Sequence, residues 1–412
     1  MTTEQNYGKC SFLLTLAGFL LYLTDIGTDL WVAAVYLIDG HLVWCLLVLS
    51  VIVISAVILQ SFSWSWYKDD ENNPSLSPHN RGCASGGSWF CVLHVFQLGV
   101  LLRFVKALDY GYKAAFKKGG TDLIAIYSVT DLSMLRLFEA FLEAAPQLVL
   151  QVFILLMSDD REYIQYVSVI LSCMSISWAT LDYYAALKKS LPDQRKLTCG
   201  FPYLMYFLYK LLTLNARILL ITLLAMINII AMIGYLCVLW LIMIIYVFVQ
   251  KTKFCTSMIQ EVIYKAVVAI ILVFTFFNIK DKNTRIVMII YYTIRIIETG
   301  GVLVFCWFLK GFMVDKSYSL PVSITIGLSL ILGIICLVLY YSFCHPKRAN
   351  DKDFNHCDNA VQFPTSYDEV DGCPSENPTV ILKDINKNGI MIDSEVTKPA
   401  IISGRITHCL SF

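Results

Sequence analysis

Near the C-terminus the chain reads Asp368-Glu369-Val370-Asp371-Gly372, which has the residue types and order that executioner caspases cut. An acidic residue, a glutamate and a small β-branched residue lead to the obligatory aspartate, and the residue after the cut has no side chain. The chemistry behind this order is simple. A protease cleft takes its peptide as an added β-strand. Guanidinium groups hold a carboxylate bidentately, and Asp371 would supply that carboxylate. Phe363-Pro364-Thr365-Ser366-Tyr367 before the stretch and Cys373-Pro374-Ser375 after it predict an extended, accessible backbone. An acidic tail can also spell these letters by chance, so the rest of the chain must decide.

The second set of chemically capable residues stands where chemistry is costly. Asp25 and Asp29 lie four apart in an apolar run, hence on one helix face. Arg103 and Lys106 fall in the third such run, and Asp131, Arg136, Glu139 and Glu143 in the fourth. Asp182 is in the fifth, and Lys210 and Arg217 are in the sixth. Each costs about 2.5–3.5 kcal/mol at the centre of a membrane helix, so all of them unpaired and facing lipid would cost on the order of 30 kcal/mol. They must be paired, hydrated or near the interface. One reading is a set of buried ion pairs that lock helices together, for example Arg103 with Glu139 or Asp25 with Arg217. The other is a hydrophilic track for polar headgroups or ions, and its mixed sign suits zwitterionic headgroups better than one ion type. Pro146 predicts a kink after Glu143 whose freed carbonyls, with Gln147, could line a polar cavity. Trp44 reads as an interface anchor that could also gate the outer end of such a path.

The elements that must position these residues are membrane helices. The chain has 412 residues, of which 57% are hydrophobic and only 15% charged, and its mean hydropathy of +0.65 excludes a soluble domain. Its net charge of +1 gives no reason to expect nucleic acid. Met1-Thr2-Thr3-Glu4-Gln5-Asn6 has no basic leader pattern, so the first helix is expected to serve as signal anchor. The 14 cysteines show no CxxC pair and no zinc spacing, and they read as small buried hydrophobes. No metal or other cofactor is expected.

Ten apolar runs can be counted, at about 11–38, 42–66, 89–112, 130–157, 164–187, 202–228, 229–250, 257–278, 287–309 and 319–343. The positive-inside rule reduces the crossings to eight. Loops on both sides of the third run carry basic residues (Lys68 and Arg81; Lys113, Lys117 and Lys118), and so do those around the eighth (Lys251 and Lys253; Lys280, Lys282 and Arg285). Those two runs are therefore read as re-entrant. The expected fold is an all-α polytopic membrane protein of about eight transmembrane helices plus two re-entrant helices, in two pseudo-repeated halves. Its parts would be a cytosolic N-terminus (1–10), two membrane repeats (11–200 and 201–344) and a cytosolic regulatory tail (345–412).

Several stretches resemble the XK-related family. They are Asp25-Ile26-Gly27-Thr28-Asp29-Leu30-Trp31, Ser61-Phe62-Ser63-Trp64-Ser65-Trp66, Asp131-Leu132-Ser133-Met134-Leu135-Arg136-Leu137-Phe138-Glu139, Ile176-Ser177-Trp178-Ala179-Thr180-Leu181-Asp182-Tyr183, Phe276-Phe277-Asn278-Ile279-Lys280, and Tyr340-Tyr341 with His345-Pro346. The resemblance runs from about residue 11 to 372 and is similar to the caspase-activated phospholipid scramblases, members eight and nine. It implies exposure of phosphatidylserine at the plasma membrane of apoptotic cells, with both termini cytosolic. It implies a caspase-3-type protease as partner, and a tail that inhibits until it is cut after Asp371. By resemblance, Asp25, Asp29, Arg103, Asp131, Arg136, Glu139, Glu143, Asp182 and Arg217 match a charged path or structural ion pairs, and Trp44 an outer gate. Member eight further implies a single-span immunoglobulin-family chaperone. No ATP is needed, and no Walker-type GxxxxGK[ST] motif is found. An ion channel or transporter using the same charges, and a non-transporting membrane adaptor, are the alternatives.

Overall fold

The computed structural model describes residues 7–72, 92–94, 97–117, 122–157, 163–190, 200–250, 254–255, 257–278, 284–308 and 318–344. Asp368, Glu369, Val370, Asp371 and Gly372 lie outside them, as do Arg81, Lys118, Lys251, Lys253, Lys280 and Lys282. Regular structure among the described residues is helical: α1 (Lys9–Ile38), α2 (Leu42–Asn72), α3 (Gly99–Tyr112), α4 (Asp122–Glu139), α5 (Ala145–Met157), α6 (Tyr163–Ser190), α7 (Phe201–Ile227), α8 (Ile229–Val249), α9 (Met258–Phe274), α10 (Thr284–Phe308) and α11 (Ser319–Leu339). A π-helical turn, Ala140–Ala144, joins α4 to α5, and two others extend α3 and α11.

Local chemistry sets the boundaries. The turn between α1 and α2 places Gly40 at φ 78°, a conformation that glycine adopts without cost. Asn228 ends α7 in extended geometry and caps α8 by accepting from the Ala231 N–H at 3.1 Å. Helix α4 begins at Asp122, well before the expected start at about 130. Ser128, Thr130 and Asp131 interrupt the apolar run in the sequence, but the Thr130 hydroxyl satisfies itself on the Ile126 carbonyl at 2.8 Å. Such back-bonding to the preceding turn recurs at Ser177, Thr180, Thr213 and Thr222 and makes hydroxyls tolerable in membrane helices.

Among the described residues, seven helical stretches are long and apolar enough to cross a membrane, with α4 and α5 counting as one. Helix α6, at 28 residues, adds an eighth by length, since it is about 42 Å long at 1.5 Å per residue. Helix α3 has 14 residues plus a π turn of 5, and α9 has 17, both below the ~20 usual for a hydrocarbon core. They are the two segments read as re-entrant. Both carry buried faces, and α9 is buried from Val267 almost continuously to Phe274. A short helix ending inside the membrane must be surrounded by protein, because lipid cannot satisfy its terminal carbonyls.

The core gathers where α9 meets α2, α4 and the π turn. Phe62 and Phe138 pack with ring centroids 5.3 Å apart, Phe138 and Tyr264 6.2 Å, and Phe141 and Phe274 5.9 Å. On the other side α7 and α11 approach so closely at Gly333 that an added Cβ would lie 2.8 Å from Thr213 Cγ2 and 3.1 Å from the Thr213 backbone nitrogen.

Candidate functional site

Proline dictates the centre of the site. Pro146 has no N–H to offer the carbonyl four residues back, and its ring crowds that turn. The chain widens into the π turn Ala140–Ala144 immediately before it, which places Glu143 at a point where the helix bulges. Glu143 is buried and sits beside Asp29 of α1 and Ser55 of α2. Asp29 is buried as well and adjoins Glu143 and Gln147. One turn earlier, Glu139 is buried with Asp25, Asp29, Glu143 and Arg136 as its charged neighbours.

Arg136 is the cation among these carboxyls. Its Nη1 lies 3.4 Å from Asp182 Oδ2, which ties α4 to α6, and its guanidinium lies against Gly18 of α1, where any Cβ would collide with it. Arg136 therefore joins three helices. Asp25, Glu139 and Asp182 thus have Arg136 as a charged neighbour, and Asp29 and Glu143 adjoin that group through Asp25 and Glu139. Arg103 serves a separate contact: it lies 4.0 Å from Asp131 Oδ2 and donates to Ser63 Oγ at 3.0 Å and the Ser63 carbonyl at 2.9 Å. The expected pairing of Arg103 with Glu139 is corrected to Asp131, because α3 meets α4 nearer the latter's start. Lys106 lies over the Tyr67 ring at 5.4 Å.

Beside this cluster a cavity of about 480 Å³ opens between α1, α5 and α6, reaching Phe207 of α7. Polar residues line much of it: Asp29 and Gln147 are buried, Asp25, Gln151, Ser172 and Ser175 are half-buried, and Thr24, Thr28 and Ser168 are exposed at its mouth; the three serines share one face of α6. Leu21, Val167, Leu171 and Met174 on its rim are 40–59% exposed and face the membrane. The Gln147 amide lies beside the Asp29 carboxyl, and the Gln151 amide oxygen is buried without a protein partner. The cavity follows α1 from Leu21 to Val32, about 17 Å along the helix axis. Trp44 does not line it; its ring packs on Phe153 of α5 with centroids 6.2 Å apart.

The remaining charges form a second cluster in the C-terminal half. Helix α9 ends at Phe274, and the polar groups at and just past its end receive three basic side chains. Arg217 Nε donates to the Val273 carbonyl at 3.0 Å. Arg295 Nη2 donates to the Leu272 carbonyl at 2.9 Å and also to that of Val273. Lys210 donates to the Phe276 carbonyl at 2.7 Å and to Thr275 Oγ1 at 3.1 Å. Glu298 supplies the carboxylate, 2.9 Å from Arg217 and 2.8 Å from Arg295. The expected pair Asp25–Arg217 is thereby corrected to Glu298–Arg217: Asp25 stands in the first cluster, and Arg217 faces the end of α9. Sequence reasoning missed Arg295 and the pairing role of Glu298. Their spacing of three within the apolar run 287–309 was the available signal. A third pair, Glu261 and Lys265 at 3.4 Å, sits at the start of α9, where Glu261 also accepts the Phe254 and Cys255 N–H groups.

No group of three His, Cys, Asp or Glu is arranged to hold a metal ion among the described residues. What the geometry offers is a lipid-facing groove with a polar wall, supported by two charge clusters inside a multi-pass helical membrane protein. The XK-related family model matches residues 13–346. XK-related protein 8 of Gasterosteus aculeatus is 33% identical over 350 residues, covering 84% of this chain and 86% of that protein. XK-related protein 9 of Tetraodon nigroviridis is 35% identical over 362 residues, covering 84% and 93%. XK-related protein 8 of Pan troglodytes is 34% identical over 352 residues, covering 84% and 87%. The chain belongs to the XK-related family.

Proposed function

We propose that this protein is a caspase-activated phospholipid scramblase of the plasma membrane, with both termini cytosolic, that exposes phosphatidylserine on apoptotic cells. The observation that carries the reading is the groove between α1, α5 and α6: a polar wall behind an apolar, lipid-facing rim. A headgroup needs hydrogen bonds and countercharges on its way through the hydrocarbon, whereas its acyl chains do not. Asp25 and Asp29 suit the ammonium group. The Gln147 amide and the hydroxyls of Ser168, Ser172 and Ser175 suit the phosphate oxygens. The rim leaves the chains in the bilayer. Lipids then move both ways down their gradient without ATP, and the protein is not an enzyme.

The groove is about 17 Å long against a hydrocarbon core of about 30 Å. A complete path therefore requires the helices to part beyond its N-terminal end on α1, where Arg136 lies across Gly18 and holds Asp182. Cleavage after Asp371, releasing residues 372–412 from their inhibitory role, is the trigger we assign to that movement. A caspase-3-type protease is the activating partner. A single-span immunoglobulin-family chaperone is a further partner suggested by the resemblance to member eight.

The test is lipid scrambling in liposomes, read with a fluorescent lipid and a membrane-impermeant quencher. Intact protein, caspase-3-treated protein and treated Asp371→Ala are compared. Scrambling by the cut wild type alone is the expected result. An inner leaflet that stays protected after verified cleavage, with ion flux in its place, would favour a channel or transporter.

A further inference from the structure

The second charge cluster is not balanced. Arg217 and Arg295 are 5% and 7% exposed, and among the described residues Glu298 is the only carboxylate paired with either of them. The carbonyl end of α9 adds about half a negative charge. The first cluster's carboxyls do not make up the difference, because the charged neighbours of Glu139 are Asp25, Asp29, Glu143 and Arg136, all within that cluster. A buried excess of positive charge is costly unless a counterion joins it.

The place for one exists. Arg217 spends Nε on Val273 and Nη1 on Tyr235 and Glu298, while Nη2 is buried with no partner. A cavity of about 20 Å³ adjoins it, lined among others by Thr213, Arg217, Tyr292, Arg295 and Thr299. That volume has room for a particle about the size of a water molecule. A water would satisfy Nη2 but leave the charge unbalanced. A monatomic anion does both.

We propose that the pocket between α7, α10, α11 and the end of α9 binds a small monovalent anion of the halide class, held by Arg217 Nη2 with Arg295 and Thr299 beside it. The anion fixes the end of the short helix α9 inside the membrane. It belongs to the folded state and is independent of lipid movement.

The test is the thermal unfolding midpoint of the purified full chain in detergent, in sodium chloride, sodium bromide or sodium gluconate at equal ionic strength. Chloride and bromide should give a saturable rise of about 2–4 °C over gluconate. Arg217→Lys, which keeps the charge but lacks Nη2, and Thr299→Val should each abolish the rise. Should Arg217→Lys fail to fold, Thr299→Val decides the question alone. Equal midpoints in the three salts, or a trend that never saturates, overturn the proposal in favour of a water. A halide effect unchanged in the variants overturns it by placing the anion elsewhere.

Discussion

Single residues in this protein matter through what they would leave behind. Glu298 holds two guanidiniums, Arg217 and Arg295, at 2.9 and 2.8 Å. Removing it strands both in a buried setting, so Glu298→Ala should destabilise the protein by about 3–5 kcal/mol. Denaturant or thermal unfolding in detergent micelles measures this. A loss below about 1 kcal/mol, the range of solvent-exposed pairs, would mean that water reaches the cluster. Glu298 was visible in the sequence only as an ionisable residue in an apolar run. Its partner could not be read, because Arg217 lies 81 positions away and the choice between Asp25 and Glu298 depends on which helices are neighbours.

At the scale of elements, the α7–α11 contact rests on a missing side chain. A Cβ at Gly333 would meet both the side chain and the backbone of Thr213, whereas one at Gly327 on the same helix would meet nothing within 4 Å. Backbone cannot turn aside, so the helices must part. Gly333→Ala should cost about 1–3 kcal/mol and Gly327→Ala nothing measurable beyond a small gain in helix propensity. Paired melting curves of the two variants check this. Equal behaviour would show that the helices are not held at the distance described. The sequence showed α11 as an apolar run, and glycine in such a run is ordinary; only the neighbouring helix makes Gly333 different from Gly327.

For the whole molecule, the groove is the feature on which the proposed scrambling rests. Thr28 of α1 and Gln151 of α5 both line it, and neither forms an ion pair among the described residues. Thr28→Leu with Gln151→Leu should leave folding intact while removing two of the groove's polar groups. Scrambling by the cleaved protein should then fall on the order of tenfold, since a headgroup loses two of its polar partners along the groove. A liposome assay beside a melting curve separates lost transport from lost fold. Unchanged scrambling would move the lipid path to another face of the protein.

The sequence by itself determined the class of protein, nearly all helix positions and the identity of most buried charges. Each follows from a local cause: long apolar runs demand helices in lipid, loop charges bias their orientation, and an ionisable residue inside such a run is conspicuous wherever it points. Asp25 and Asp29 were legible as one face, and Pro146 as a disturbance of its helix. The tertiary structure alone decided which charges meet. It put Asp131 with Arg103, Asp182 with Arg136, and Glu298 with Arg217 and Arg295. It also sent Lys210, Arg217 and Arg295 to the carbonyls around the end of α9. The physical reason is that helical periodicity fixes a residue's face on its own helix, whereas pairing also depends on the depth and rotation of a second helix. Those are set by side-chain packing across the bundle, by contacts such as Arg136 on Gly18 and Thr213 on Gly333, which no single segment contains.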